Sequence, residues 1–278
     1  MANGSAMYAA ALRQELSARN QHYAAINKVA SYLSYGDAPT VCYAPSDDAS
    51  AHGNFICESF RAICATELWR KRLRKPHTHR SQLPQEFRRT ARELDSCNSS
   101  DALLMNVFCY PRLTGVKRVA LMLGVEPRSM PEFGFRARVP LLSGRVDATE
   151  VDMKLGNLLV EAKLTESDFQ TAPPELVERY RDLTELFDVA NLARIGARYS
   201  SYQLIRNVLA AHTLRCSFCV LHDARRPDLR EAWFAVMSCV RDADLRTRCK
   251  VLTWQELACV LPRKLERFLA EKYGIVAA

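Results

Sequence analysis

Thr149-Glu150-Val151-Asp152-Met153-Lys154-Leu155-Gly156-Asn157-Leu158-Leu159-Val160-Glu161-Ala162-Lys163 is the stretch on which the fold turns. Apolar runs flank Lys154-Leu155-Gly156-Asn157, and a glycine–asparagine step between such runs predicts a hairpin. Strands are therefore expected at 145–153 and 158–165. Side chains alternate along a strand, so Glu161 and Lys163 share one face while Val160, Ala162 and Leu164 take the other. Glu150 and Asp152 share a face of the preceding strand. A turn centred on Leu155 and Gly156 sets Glu150 opposite Glu161 and Asp152 diagonal to it. Three carboxylates and one ammonium then gather in a single cluster.

Working outward, 133–139 reads as a third strand, and helices fit 175–189 and 202–211. The short, wholly apolar run 216–221 suits a strand buried on both faces. After Pro227 come a helix, a brief strand at 250–253 and a helical C-terminus. Upstream, 1–35 reads as helical, 36–53 as a loop, and 54–73 as a helix that Pro76 ends. A second amphipathic stretch begins after Pro84. Cys97-Asn98-Ser99-Ser100 offers caps for a short helix over 102–108, and another fits 116–123. This order describes an α/β sandwich with a mixed sheet. The boundary is placed between a helical N-terminal extension, 1–98, and an α/β core, 99–278.

Like charges a few ångströms apart oppose one another's ionisation, and a divalent cation removes the conflict. Oxygen-only ligands of this kind suit Mg²⁺ or Mn²⁺. The bland alternative is an exposed, salt-bridged hairpin.

Composition narrows the field. The chain has 278 residues, 48% hydrophobic and 25% charged, as in an ordinary globular protein. It has no apolar run long enough for a membrane helix and no signal-peptide pattern at its start, which points to the cytoplasm. The ten cysteines are scattered, mostly in apolar stretches, and read as buried reduced thiols. Cys216 and Cys219 lack the second close pair that a structural metal site requires. Glycine-rich nucleotide loops, zinc-finger spacing and a hydrolase serine elbow are absent.

The net charge is +8. Arg61, Arg70, Lys71, Arg72, Arg74, Lys75, Arg80, Arg88, Arg89 and Arg92 stand against Glu67 and Glu86 in one stretch, with His77 and His79 among them. Such a patch suits a polyphosphate partner, because each phosphate contact releases counterions. Alone it reads rather as a solvated helix face.

An acid on one strand followed by Glu-X-Lys on the next resembles the PD-(D/E)XK nuclease superfamily. The order of elements across 99–223 is similar to its restriction-endonuclease-like fold. Thr149-Glu150-Val151-Asp152, Glu161-Ala162-Lys163-Leu164-Thr165-Glu166 and Ser99-Ser100-Asp101-Ala102-Leu103-Leu104 also look like bacterial proteins of that kind. The resemblance implies Mg²⁺- or Mn²⁺-dependent hydrolysis of DNA. Asp152 and Glu161 would hold the metal, with the Ala162 carbonyl as third ligand, Glu150 beside them and Lys163 as the catalytic lysine. Gln203 would assist from the following helix, beside Tyr202, and Arg206 one turn on would meet the nucleic acid with Arg70, Lys71, Arg72, Arg74 and Lys75. Lys163 is thereby assigned to chemistry, so its removal is expected to leave the fold intact. The step from Asp152 to Glu161 is nine positions, shorter than is usual in the family, and Glu150 fits the position opposite Glu161 better. Asp147 would restore a longer gap, from the other face of its strand. Glu58, on an N-terminal helix, is a weaker candidate ligand. The expected partner is nucleic acid, with a homodimer also in view. The alternative is a catalytically silent subunit on the same fold that binds nucleic acid or protein.

Overall fold

The hairpin forms, one residue later than the sequence suggested. In the computed structural model, strand Glu150–Leu155 pairs antiparallel with Leu158–Ala162 in the register Met153 to Val160, Lys154 to Leu159 and Leu155 to Leu158. Gly156 and Asn157 therefore make the turn. Gly156 takes φ +57°, which glycine adopts without steric cost. The shift moves every cross-strand pair. Asp152, not Glu150, stands across from Glu161, and the Ala162 N–H donates to Asp152 Oδ2 at 2.8 Å.

The structure describes residues 2–34, 39–46, 50–77, 85 and 91–278. His79, Arg80, Glu86, Arg88 and Arg89 lie outside the described residues, as does most of the amphipathic stretch expected after Pro84.

Two compact units divide the chain. One comprises Met1–Ala9 and Glu132–Thr253, and is built on a five-stranded mixed sheet. The strand order is Cys249–Thr253, Ser217–His222, Leu158–Ala162, Glu150–Leu155, Pro131–Arg136. The Ser217–His222 strand runs parallel to both its neighbours. Leu158–Ala162 lies in the middle of the sheet and is buried along its whole length, as its apolar run requires. Glu150–Leu155 alternates half-buried and buried, so Glu150, Asp152 and Lys154 share the wetter face. The expected strand 145–153 is in fact two pieces. Val146–Asp147 pairs separately with Val139–Pro140 before the sheet strand begins. Helix Tyr202–Leu214 packs on the sheet through Leu204, Ile205, Val208 and Leu209, and helix Pro227–Ser238 sets Trp233 against Phe218. The single helix expected at 175–189 is two short ones, Pro174–Val177 and Leu183–Leu186.

The other unit, Ala10–Pro131 with Trp254–Ala278, is mainly helical. The N-terminal helix Ala2–Asn27, most of which belongs to this unit, ends at Asn27 rather than near residue 35. Lys28 turns left-handed at φ +52°, and Ser31–Leu33 pairs with Val41–Tyr43 in a small hairpin. The expected helix over 54–73 breaks at Thr66 into Cys57–Ala65 and Glu67–Arg72. Ser99 caps helix Ser100–Phe108, as its sequence predicts, by accepting from the Ala102 N–H at 3.1 Å. All ten cysteines are free thiols, and Cys42, Cys97, Cys109, Cys216, Cys219 and Cys239 are buried.

Candidate active site

The chemistry-bearing residues meet where the Glu161 strand leaves the sheet. Glu161 faces the helix Tyr202–Leu214 and is 1% exposed. A carboxylate so deeply buried must be paired. Two side chains do this: Lys163 Nζ lies 2.9 Å from Glu161 Oε1, and Asn207 Nδ2 donates to Oε2 at 2.8 Å.

Lys163 is itself buried, and its Nζ also donates to Gln203 Oε1 at 2.9 Å. The Phe169 ring lies 5.5 Å away. Burial alone would discharge the ammonium, but Glu161, Glu166 and Asp152 outweigh it and raise its pKa above the ordinary lysine value. Gln203, which the resemblance set beside the metal or the phosphate, thus reaches the lysine. Its position is fixed by the backbone: the N–H groups of Tyr202 and Gln203 donate to the Gln170 and Phe169 carbonyls, both at 3.0 Å.

Asn207 escaped the sequence reading. Its Oδ1 accepts from Arg206 Nε and Nη2, at 3.3 and 3.1 Å, so its amide N–H groups must face Glu161. It stands four residues after Gln203, on the same helical face, and that spacing was the signal available. Arg226 was also missed. It is wholly buried, holds Asp228 through two bonds of 2.9 and 2.8 Å, and donates to the Glu166 and Ser167 carbonyls at 2.6 and 3.1 Å. The loop that leaves Lys163 is thereby tied down. Nothing local in the sequence marks that role.

Other expected residues fall elsewhere. Glu150 does not complete a trio of acids. Its side chain is 40% exposed and lies 4.0 Å from the Arg136 guanidinium. Among the described residues, no three His, Cys, Asp or Glu side chains are arranged to hold a metal ion. The one-residue shift of the turn is the reason: it sets Asp152 against Glu161 and carries Glu150 two pairs further out, level with Lys163. Arg206, expected on the nucleic-acid face, is buried, and its Nη2 donates to the Glu150 carbonyl at 3.0 Å. Tyr202 bonds Tyr180 through the two hydroxyls at 2.8 Å, and Tyr180 in turn donates to buried Asp147. Burial acts to raise the Asp147 pKa, but bonds from Thr149 and Tyr180, with Arg179 nearby, hold it below the ordinary value. That acid belongs to a packed network.

In the helical unit, Arg70, Lys71 and Arg74 are exposed, with Lys71 paired to Glu67 at 2.9 Å. Arg72 and Lys75 converge on Asp101 at 3.1 and 2.6 Å. Glu58 pairs with Lys264.

A mixed sheet flanked by helices, carrying an acid on each strand of its inner hairpin, is a restriction-endonuclease-like fold. The family model described as Restriction Endonuclease associating with ARP matches residues 27–274, and the chain belongs to that family. No curated protein and no solved structure matches it.

Proposed function

We propose that this chain is a metal-dependent nuclease of the PD-(D/E)XK kind that hydrolyses phosphodiester bonds in DNA. The observation that carries the proposal is the hairpin register, which continued one step past Met153 and Val160 sets Asp152 across from Glu161, with Lys163 held 2.9 Å from the Glu161 carboxylate. Two carboxylates on adjacent strands, with the Ala162 carbonyl beside them, form an oxygen-only donor set that fits Mg²⁺ or Mn²⁺. Each oxygen of Glu161 already receives one contact, and a carboxylate oxygen can accept a second. Such an ion would supply Lewis acidity toward a phosphate oxygen and lower the pKa of water.

The chain's own residues do the positioning. Asn207 and Lys163 fix the Glu161 carboxylate from two sides. Gln203 holds Lys163, whose ammonium is then placed to donate to the attacking water or to a phosphate oxygen. The exposed Arg70, Lys71 and Arg74 would track the nucleic-acid backbone. The family's description, association with ARP, supports a protein partner beside the nucleic acid.

Glu161→Gln keeps the shape of the side chain and removes its charge. Calorimetry with Mn²⁺ and cleavage of supercoiled plasmid are expected to show binding and cutting by the wild type and neither by the variant. Equal Mn²⁺ affinity in the two proteins would overturn the assignment.

A further inference from the structure

The helical unit holds a cavity of about 690 Å³, within the range of small-ligand pockets. Trp69, Phe108, Tyr110, Met130, Arg112 and Arg128 are among the residues that line it. The Trp69 indole N–H is satisfied by the Pro131 carbonyl at 2.9 Å, and Trp69 and Phe108 are buried, so the half-buried Tyr110 is the lining ring open to a ligand. Met130 is 62% exposed at the mouth. Both arginines adopt left-handed backbone, at φ +62° and +68°, a conformation rare outside glycine. Two bonds hold them there: Gly115 N–H to the Arg112 carbonyl, and Arg128 N–H to the Thr114 carbonyl, both 3.0 Å. Strained residues that line a cavity are a recurrent mark of ligand sites.

The surroundings are cationic. Arg61, Arg70, Lys117 and Arg118 are exposed and adjoin lining residues in sequence. Of the acids in these stretches, Glu58 and Glu67 are paired with Lys264 and Lys71. Guanidinium groups around an aromatic, apolar hollow match a flat ring joined to phosphates.

We propose that this cavity takes an unstacked base of single-stranded DNA, with the flanking phosphates on Arg112 and Arg128. The assignment rests on the nucleic-acid reading above and deepens it. Stacking on the Tyr110 ring tolerates any base, so the site favours strand ends or displaced strands over intact duplex.

The test is fluorescence anisotropy in EDTA, with labelled oligo-dT and a blunt duplex of equal length as probes. A Cβ at Gly115 would meet Arg128 Cγ at 3.6 Å, an ordinary contact, so Gly115→Leu can fill the cavity without changing charge. Oligo-dT affinity is expected to fall about tenfold, the scale of one lost stacking contact, while duplex affinity holds. Met130→Ala, at an exposed position, should lower oligo-dT affinity alone by a smaller factor, and guards against a misfolded first variant. Arg112→Glu with Arg128→Glu should weaken oligo-dT binding and flatten its salt dependence by about two phosphate contacts. Unchanged oligo-dT affinity in Gly115→Leu and Met130→Ala, or equal losses for both probes, would overturn the cavity's role. Metal-dependent cleavage by the same wild-type preparation reports separately on the nuclease: intact, variant-sensitive oligo-dT binding without cutting would break that reading and uphold the cavity.

Discussion

Lys163 and Lys272 are both buried, one in each compact unit, and the two units treat the same charge in opposite ways. Lys163 meets a carboxylate at 2.9 Å, and its pKa is raised against the effect of burial. Lys272 meets no carboxylate in the bonds it makes. Its Nζ donates to Asn20 Oδ1 at 2.8 Å and to the Gly53 carbonyl at 3.2 Å, and lies 3.7 Å from the centre of the Tyr43 ring. A Cβ at Gly53 would collide with Val29 and Tyr43, so only glycine brings that carbonyl so near. Burial drives the Lys272 pKa well down, although Cys97 opposes the shift. Burial is common to both lysines. Formal opposite charge is what differs, and it decides whether a buried amine's pKa moves up or down.

The comparison breaks most readily at Lys163. Lys163→Ala leaves Glu161 buried without its cation, a loss on the order of 3–5 kcal/mol. The buried pair argues against the expectation that its removal spares the fold: the variant should melt well below the wild type. Cleavage by its folded fraction should also fall at least about a hundredfold, the scale for a positioned catalytic group. Melting and cutting rates measured on one preparation separate the two effects, and wild-type behaviour in both would remove Lys163 from the site.

Lys272 carries the next largest effect, and it depends on pH. A depressed folded pKa means that the unfolded chain binds the extra proton between that pKa and the ordinary value of 10.5. Wild-type stability relative to Lys272→Met should therefore rise with pH through that window, by up to about 1.4 kcal/mol per unit. Lys163 behaves in the reverse sense. Its contribution in the metal-free protein is complete below the ordinary lysine pKa and is lost only as pH climbs through its raised one. Urea titrations from neutral pH to pH 10 check the first sign, and a stability difference that stays flat with pH would equate the two amines.

Asn207→Ala sharpens the same contrast from the carboxylate side. It removes one donor from Glu161 and the acceptor of Arg206, with an expected cost of about 1–3 kcal/mol. The altered carboxylate should also weaken Mn²⁺ binding, whereas a merely structural Asn207 would lower the melting temperature and leave Mn²⁺ affinity unchanged. The smallest effect on stability is expected on the surface. Arg70, Lys71 and Arg74 changed together to Glu should alter folding little. DNA affinity should drop and its salt dependence should flatten, whatever the DNA sequence. Arg72 is spared in this design because it serves Asp101. An unchanged salt slope would move the phosphate contacts elsewhere.

Much of this was legible in the sequence, because strand periodicity is a local property. The alternation over Glu150–Leu155, the apolar run at Leu158–Ala162 and the buried Ser217–His222 strand could all be read directly. Register was not. A hairpin of given sequence can turn about Leu155-Gly156 or Gly156-Asn157, and one residue exchanges Glu150 for Asp152 as the partner of Glu161. The small hairpin of Ser31–Leu33 with Val41–Tyr43 was hidden for a similar reason: its strands are three residues each and carry too little pattern to register.

By itself the sequence determined the α/β class, the central acidic hairpin, the juxtaposition of Glu161 with Lys163 and the basic character of the helical half. These follow from spacing along one chain, where a period of 2 or 3.6 places side chains on a common face. Tertiary structure alone decided which acid faces Glu161, that Asn207 and Arg206 brace its carboxylate, and that Arg226 ties the loop after Lys163. It also turned Arg206 inward and bound Arg72 and Lys75 to Asp101. Most of those choices depend on partners 26 to 62 residues away along the chain, as with Lys75 and Asp101 or Arg226 and Leu164, and a charge's role is set by what lies within a few ångströms of it.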